Sequence, residues 1–206
     1  MLLQLIITIA AGYLLGNLNG SVLISRLAAN DDVRAHGSGN AGFTNFYRSY
    51  GGLKSLLVIL IDGLKAAAAC LIGWLLLKGS GYGLEGRVLG AIAVTLGHDF
   101  PAFLGFKGGK GIVCGFISVL CIDWRIGLIL LGIFALLYFP TKLVSLASVG
   151  GSLALIVCMP VFHHGRPLAT AGTILLAHHA IFMHRENLVR LLGGKERKTH
   201  FIEKKK

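Results

Sequence analysis

LKSLLVILIDGLKAAAACLIGWLLL, residues 53–77, is the stretch from which the architecture follows. Beyond Lys54 it carries only Asp62 and Lys65 as charged side chains, and it has no proline. A helix needs roughly 20 predominantly apolar residues to cross the hydrocarbon of a bilayer, and this run supplies them without a breaker. Runs of the same kind recur at 2–25, 87–105, 112–122, 126–140, 143–162 and 167–183. Those at 112–122 and 126–140 are short and flank Asp123-Trp124-Arg125, so they read as two short spans or as one re-entrant hairpin. Composition agrees: 54% of the 206 residues are hydrophobic, 14% are charged, and the mean hydropathy is +0.73. A soluble domain carries about 25% charged residues. The expected fold is all-α, a polytopic membrane helix bundle of about seven transmembrane helices, forming one domain over 1–206.

The first run has no basic leader and no small-residue cleavage signal, so it reads as a retained span. Gly12, Gly16 and Gly20 follow the small-xxx-small spacing of close helix contacts in lipid. Cys70, Cys114, Cys121 and Cys158 lie in apolar runs without C-x-x-C spacing, which suits small buried hydrophobes and no metal or disulfide framework. The formal net charge of +11 points to topology and to anionic lipid or phosphate ligands before nucleic acid.

The basic residues set an expected orientation. With the N-terminus outside and the C-terminus cytoplasmic, the inner segments hold Arg26, Arg34, Arg48, Lys54, Lys107, Lys110, Lys142, Arg185, Arg190, Lys195, Arg197, Lys198 and Lys204 to Lys206. Only Lys78, Arg87, Arg125 and Arg166 fall outside. The Gly-, Ser-, Asn- and Lys-rich segments 34–52, 105–111, 141–148 and 184–196 then share the inner face, where distant polar residues can converge on one site.

Four groups of residues there carry chemistry. Arg34-Ala-His-Gly-Ser-Gly-Asn-Ala-Gly-Phe-Thr-Asn-Phe-Tyr-Arg48 contains G-x-G-x-x-G at Gly37, Gly39 and Gly42. It lacks the preceding strand and βαβ setting of a dinucleotide loop. Its glycines can still gather backbone N–H groups around an anion. Ser38, Asn40, Thr44 and Asn45 add donors, and Arg48 can grip a phosphate with two parallel hydrogen bonds. Phe106-Lys-Gly-Gly-Lys-Gly111 is not a Walker A loop, but Lys107 and Lys110 around Gly108 and Gly109 form a cationic nest where an apolar helix begins. Asp62 and Lys65, at i, i+3 in the second span, can pair, or Lys65 can snorkel to the inner edge. His184-Arg-Glu-Asn187 opens an amphipathic stretch whose Leu188, Leu191 and Leu192 share a face before Gly193-Gly194. His163, His164, His178 and His179 read as packing or loop residues, and scattered acidic residues without H-E-x-x-H give a metal little support. Lys204 to Lys206 read as a solvated or headgroup-facing tail.

Gly37-Ser-Gly-Asn-Ala-Gly-Phe-Thr-Asn with Arg48, Asp62-Gly-Leu-Lys65, Gly97-His-Asp-Phe-Pro101, Phe106-Lys-Gly-Gly-Lys-Gly111 and His184-Arg-Glu-Asn-Leu-Val-Arg190 together resemble the motif series of the PlsY family of bacterial acyl-phosphate:glycerol-3-phosphate acyltransferases. Their order and spacing match over nearly the whole chain. The departures are Gly16-Asn-Leu-Asn19 for a common Gly-Ser-Ile-Pro, Phe43 for Ala, Ala66 for Gly and Cys114 for Thr. They bear on packing and chain-length preference rather than on the reaction.

The resemblance implies seven spans and acyl transfer from acyl phosphate to the 1-hydroxyl of glycerol 3-phosphate, giving lysophosphatidic acid and phosphate. It implies a multi-pass, monomeric cell-membrane enzyme among membrane lipids, active at the cytoplasmic face without cofactor, metal or nucleic acid. Ser38, Arg48, Lys107, His184 and Asn187 are the expected catalytic group. Gly37, Gly39, Asn40, Thr44, Asn45, Gly108, Gly109, Lys110, Ser145 and Ser148 are expected to bind phosphate, and Asp62, Lys65, His98 and Glu196 to support them. The donor is an activated mixed anhydride, so direct attack needs positioning and charge neutralisation more than a protein nucleophile. His184, His98 or a substrate phosphate could take the proton. One rival is a membrane transporter for a phosphorylated solute, although no internal repeat is seen. The other, a phosphoalcohol transferase, would need clustered aspartates that the inner loops lack.

Overall fold

The computed structural model describes residues 1–201, and all regular secondary structure among them is helical. The α-helices are α1 (Leu2–Gly16), α2 (Gly20–Ala29), α3 (Phe43–Tyr50), α4 (Lys54–Leu77), α5 (Gly83–Asp99), α6 (Ile112–Ile122), α7 (Trp124–Thr141), α8 (Val144–Phe162), α9 (Pro167–Met183) and α10 (Arg185–Leu192). By length and composition, Leu2–Ala29, Lys54–Ser80, Trp124–Thr141 and Val144–Phe162 suffice to cross a membrane, while α6 and α9 are apolar but shorter. Leucines such as Leu57, Leu64, Leu71, Leu131, Leu153 and Leu175 face outward, as lipid-facing surfaces do. Lys204 to Lys206 lie outside the described residues.

The run at 2–25 is not one helix, because the chain breaks at Asn17–Asn19. Asn19 takes extended angles, and its side chain accepts from the Val22 N–H at 3.0 Å, an asparagine cap that starts α2 afresh. The freed backbone groups need partners, since in an apolar interior each unsatisfied one costs several kcal/mol. Lys65 Nζ donates to the carbonyls of Leu18 (2.6 Å) and Gly16 (3.2 Å), and Asp62 Oδ1 accepts from the Gly20 N–H at 3.1 Å. Asp62 and Lys65 pair at 2.8 Å with both side chains buried, so Lys65 staples the break instead of snorkelling.

Helices α1, α4 and α5 form the tightest part of the bundle. A Cβ on Gly73 would strike the backbone of Gly86, and Gly16 meets Gly97 in the same way. The run at 87–105 also needs correction. Helix α5 ends at Asp99, because Pro101 disfavours helical angles in Phe100 and cannot donate to the ladder. A turn over Ala102–Leu104 follows.

Residues 112–140 form two antiparallel helices. Asp123 ends α6 and caps α7, its carboxylate accepting from the Arg125 N–H at 2.9 Å. Arg87, near the start of α5, donates to the Cys121 carbonyl, while α6 begins beside Thr95 and Asp99 at the other end of α5. His163, after α8, meets Asp123 at 2.9 Å. At this end Val119, Ile122, Ile126, Leu130, Leu155, Met159 and Leu176 close one apolar core. At the opposite end α6, α8 and α9 stand apart around a cavity, and residues 193–201 cross its rim.

Candidate active site

The glycine loop is built by Asn45. From the first turn of α3 its amide nitrogen donates to the carbonyls of His36, Asn40 and Val33 at 3.0–3.1 Å, and its oxygen accepts from the Ser38 N–H at 2.9 Å. Gly37 and Gly39 hold φ of +58° and +72°, and at Gly37 a Cβ would collide with the Asn45 amide. Asn45 therefore organises the loop from within. Two residues outside the expected set anchor the loop to its neighbours. Asn19 Nδ2 donates to the Ala41 carbonyl at 3.0 Å. Arg34 pairs with Asp32 at 2.8 Å and donates to the Leu104 carbonyl at 2.9 Å.

The second glycine loop folds differently from an anion nest. The N–H groups of Gly108 and Gly109 bond to the carbonyls of Asp99 and His98 at 3.2 and 3.1 Å, capping α5 instead of pointing at a ligand. Gly108 also accepts from the Ala41 N–H, which joins the two loops. Gly109 is covered by the His98 ring. Lys107 is exposed on the rim, whereas Lys110 turns inward toward Asn187 Oδ1.

Around these loops lies a cavity of about 740 Å³. Of the expected residues, Gly37, Ser38, Gly39, Asn40, Thr44, Asn45, Arg48, Asp62, His98, Gly108, Lys110, Ser145, Ser148, His184, Asn187 and Glu196 line it; Lys65, Lys107 and Gly109 do not. Arg190 lines it as well; in the sequence it stands only as an inner-face cation and as the last residue of the motif His184–Arg190, without a site role. Deeper in, the wall turns apolar, with Ile112, Phe116, Leu130, Phe134, Leu155 and Leu176.

Glu196 ties the polar end together. Its carboxylate accepts from Asn187 Nδ2 (2.6 Å), Ser145 Oγ (2.9 Å) and Arg190 Nε (2.8 Å). Burial pushes its pKa up, but these three bonds outweigh burial and hold it below the ordinary carboxylate value. Arg48 donates to Thr199 Oγ1 and the Arg197 carbonyl, both at 2.8 Å, so it also pins the crossing segment. Phe201 packs on Phe43, Tyr47 and Tyr138, and Tyr138 donates to the Thr199 carbonyl. Burial, then the neighbouring Arg190, lowers the pKa of Lys110.

The two candidate proton acceptors part company here. His98 Nδ1 lies 2.8 Å from Lys65 Nζ, and its Nε2 packs against Gly109, so both ring nitrogens are engaged with the protein. His184 Nδ1 lies 2.8 Å from the Ala180 carbonyl, which can only accept, so that nitrogen carries the hydrogen. The Nε2 lone pair of neutral His184 is then an acceptor in the cavity wall. Burial, with help from Lys110, pushes the His184 pKa down and favours this neutral ring. The hydroxyl of Ser148 donates back to the Val144 carbonyl at 2.9 Å. Asp62, His98 and Cys114 offer three ligand atoms within 4.8 Å. The Lys65 ammonium, 2.8 Å from both Asp62 and His98, already supplies positive charge there, so the donor set does not suit a second cation.

Residues 6–194 match the model of the family described as glycerol-3-phosphate acyltransferase. The chain is 39% identical over 197 residues to a glycerol-3-phosphate acyltransferase of Clostridioides difficile (strain 630), covering 94% of each protein. It is 37% identical over 193 residues to one of Thermoanaerobacter sp. (strain X514), again covering 94% of each. Its fold is similar to crystal structures of PlsY, an integral membrane glycerol 3-phosphate acyltransferase. The glycerol 3-phosphate form gives a TM-score of 0.84 at 29% identity, over 95% of this chain and 96% of that one. The lysophosphatidic acid form gives 0.81 at 28% identity, over 97% of each.

Proposed function

The chain belongs to the glycerol-3-phosphate acyltransferase family, and from that premise we propose that it transfers a fatty acyl group from acyl phosphate to the 1-hydroxyl of glycerol 3-phosphate. The products are lysophosphatidic acid and inorganic phosphate, in the first step of bacterial phospholipid synthesis. The observation that carries the reading is a single cavity with phosphate-type donors at its mouth and an apolar floor. It suits a donor that is phosphate at one end and hydrocarbon at the other. The cavity floor is also part of a packed core; a transporter for a phosphorylated solute would instead carry it across sealed vesicles without forming a covalent product.

In the proposed reaction the glycerol hydroxyl oxygen attacks the acyl carbonyl carbon, the acyl–phosphate C–O bond breaks, and the released phosphate carries the hydroxyl proton. Arg48 and Lys110 neutralise phosphate charge. Ser38, Asn40 and Thr44 present donors from the glycine loop, which Gly37, Gly39 and Asn45 shape. Lys107 stands on the rim, from which its flexible stem can swing the ammonium toward the mouth. Gly108 and Gly109 hold the second loop against α5. Asn187, Ser145, Ser148 and Glu196 frame the acceptor side, and Asp62, Lys65 and His98 support both loops. The polypeptide forms one domain that crosses the membrane seven times with this mouth at the cytoplasmic face, and it works as a monomer among membrane lipids.

The test is an assay on purified protein in detergent with labelled glycerol 3-phosphate and no added metal, with palmitoyl phosphate and palmitoyl-coenzyme A supplied separately. Lysophosphatidic acid from acyl phosphate alone is expected. Product from the thioester alone would overturn the donor assignment, and no product from folded protein would overturn the function.

A pH profile tests His184. Its neutral Nε2 accepts a hydrogen bond from the attacking hydroxyl, so activity falls as acid protonates the ring. With its pKa pushed down, this acid limb lies below the ordinary imidazole value of 6.5. His184→Ala should abolish the limb and lower kcat by roughly 10²-fold. A limb unchanged in His184→Ala would exclude the ring.

A further inference from the structure

We infer that Gly115 and Leu155 set the length of acyl chain the cavity accepts, a reading that rests on the acyltransferase assignment. The walls change character in order along each helix. On α8, Ser145, Ser148, Ser152 and Leu155 fall on one face at helical spacing and run from the mouth to the floor. The hydroxyls of Ser148 and Ser152 donate to carbonyls four residues back on their own helix, at 2.9 and 3.0 Å. They present little bulk and no unmet polarity to a hydrocarbon. On α6, Ile112, Gly115 and Val119 form the matching face.

Gly115 has no packing reason to be glycine. In the tight part of the bundle a Cβ on Gly16, Gly73, Gly86, Gly90 or Gly97 would strike a neighbouring backbone, whereas one built on Gly115 meets nothing within 4 Å. Glycine inside a helix is otherwise unfavourable relative to larger residues. The space it leaves belongs to the cavity at middle depth. Beneath it, Val119 and Leu155 are buried members of the closed core, and they end the cavity. From Ser145 to Leu155 the helix rises about 15 Å, which makes a channel of finite depth with a small residue halfway down and a plug at its end.

A bulky residue at position 115 should therefore shorten the accepted chain, and a small one at position 155 should lengthen it. The experiment measures kcat/KM for lauroyl, myristoyl, palmitoyl and stearoyl phosphate in wild type, Gly115→Leu and Leu155→Ala. Each pair of methylenes denied or granted apolar cover should change the ratio between neighbouring donors by about tenfold. Gly115→Leu should favour lauroyl over palmitoyl phosphate, and Leu155→Ala stearoyl over palmitoyl. The KM for glycerol 3-phosphate should stay unchanged, which shows that the mouth is intact. If Gly115→Leu is inactive with every donor, Leu155→Ala decides alone. An unaltered chain-length profile in active variants would mean that the chain leaves sideways into lipid, and would overturn the inference. Wild-type protein inactive with all four donors would instead overturn the function.

Discussion

Arg48→Ala should lower kcat/KM for glycerol 3-phosphate by roughly 10²–10³-fold, the cost of removing a donor aimed at developing charge. Arg48 projects from α3 into the mouth beside Ser38, Thr44 and Lys110. Burial draws its pKa down, but a guanidinium stays protonated in proteins, so its charge is available at any working pH. Two of its donors hold Thr199 and the Arg197 carbonyl, so the substitution also loosens the segment crossing the rim. Arg48→Lys and Thr199→Ala separate the two effects. Lysine keeps the charge and loses the planar fork, so a large loss should persist. Thr199→Ala frees the segment and keeps the fork, so most activity should remain. Steady-state kinetics that show Thr199→Ala as impaired as Arg48→Ala would move the importance of Arg48 from the phosphate to the crossing segment.

Asp62→Ala should destabilise the fold by about 3–5 kcal/mol, because it leaves the Lys65 ammonium buried without its counter-charge. Lys65 is 4% exposed and Asp62 1%, so water cannot make good the loss. Lys65→Met should also destabilise, by leaving the carbonyls of Gly16 and Leu18 unpaired and Asp62 with only the Gly20 N–H and His98 beside it. The double variant should be more stable than the sum of the two losses predicts, because neither charge is then left alone. Thermal unfolding in detergent measures all three. Strict additivity would show that the charges do not act as a pair. Since the stapled break also places Asn19 against Ala41, the KM for glycerol 3-phosphate should rise in each single variant.

The helical, membrane-suited character of the chain was legible in single runs of residues. A segment such as 53–77 has to satisfy its backbone internally once it enters lipid, and only a helix does that locally. The motifs at 37–48, 106–111 and 184–190 could be found without a structure, because residues that crowd donors and cations onto short glycine-rich loops leave a local mark.

Which of those donors face a ligand was not legible, since that depends on partners distant in the chain. The N–H groups of Gly108 and Gly109 turn to the end of α5, Asn45 bonds inside its own loop, and Lys110 rather than Lys107 lines the cavity. The break at Asn17–Asn19 was hidden too, because its angles are stabilised by Asp62 and Lys65 on another helix. Glu196 reaches the mouth only because residues 193–201 fold back across α3 and α7. Hydropathy acts along the chain and is summed locally, so the sequence alone determined that the apolar runs are helical and which chemistry their loops carry, but not where each helix breaks. A hydrogen bond has one donor and one acceptor, and only the packed bundle decided which groups bond to each other and which face the cavity.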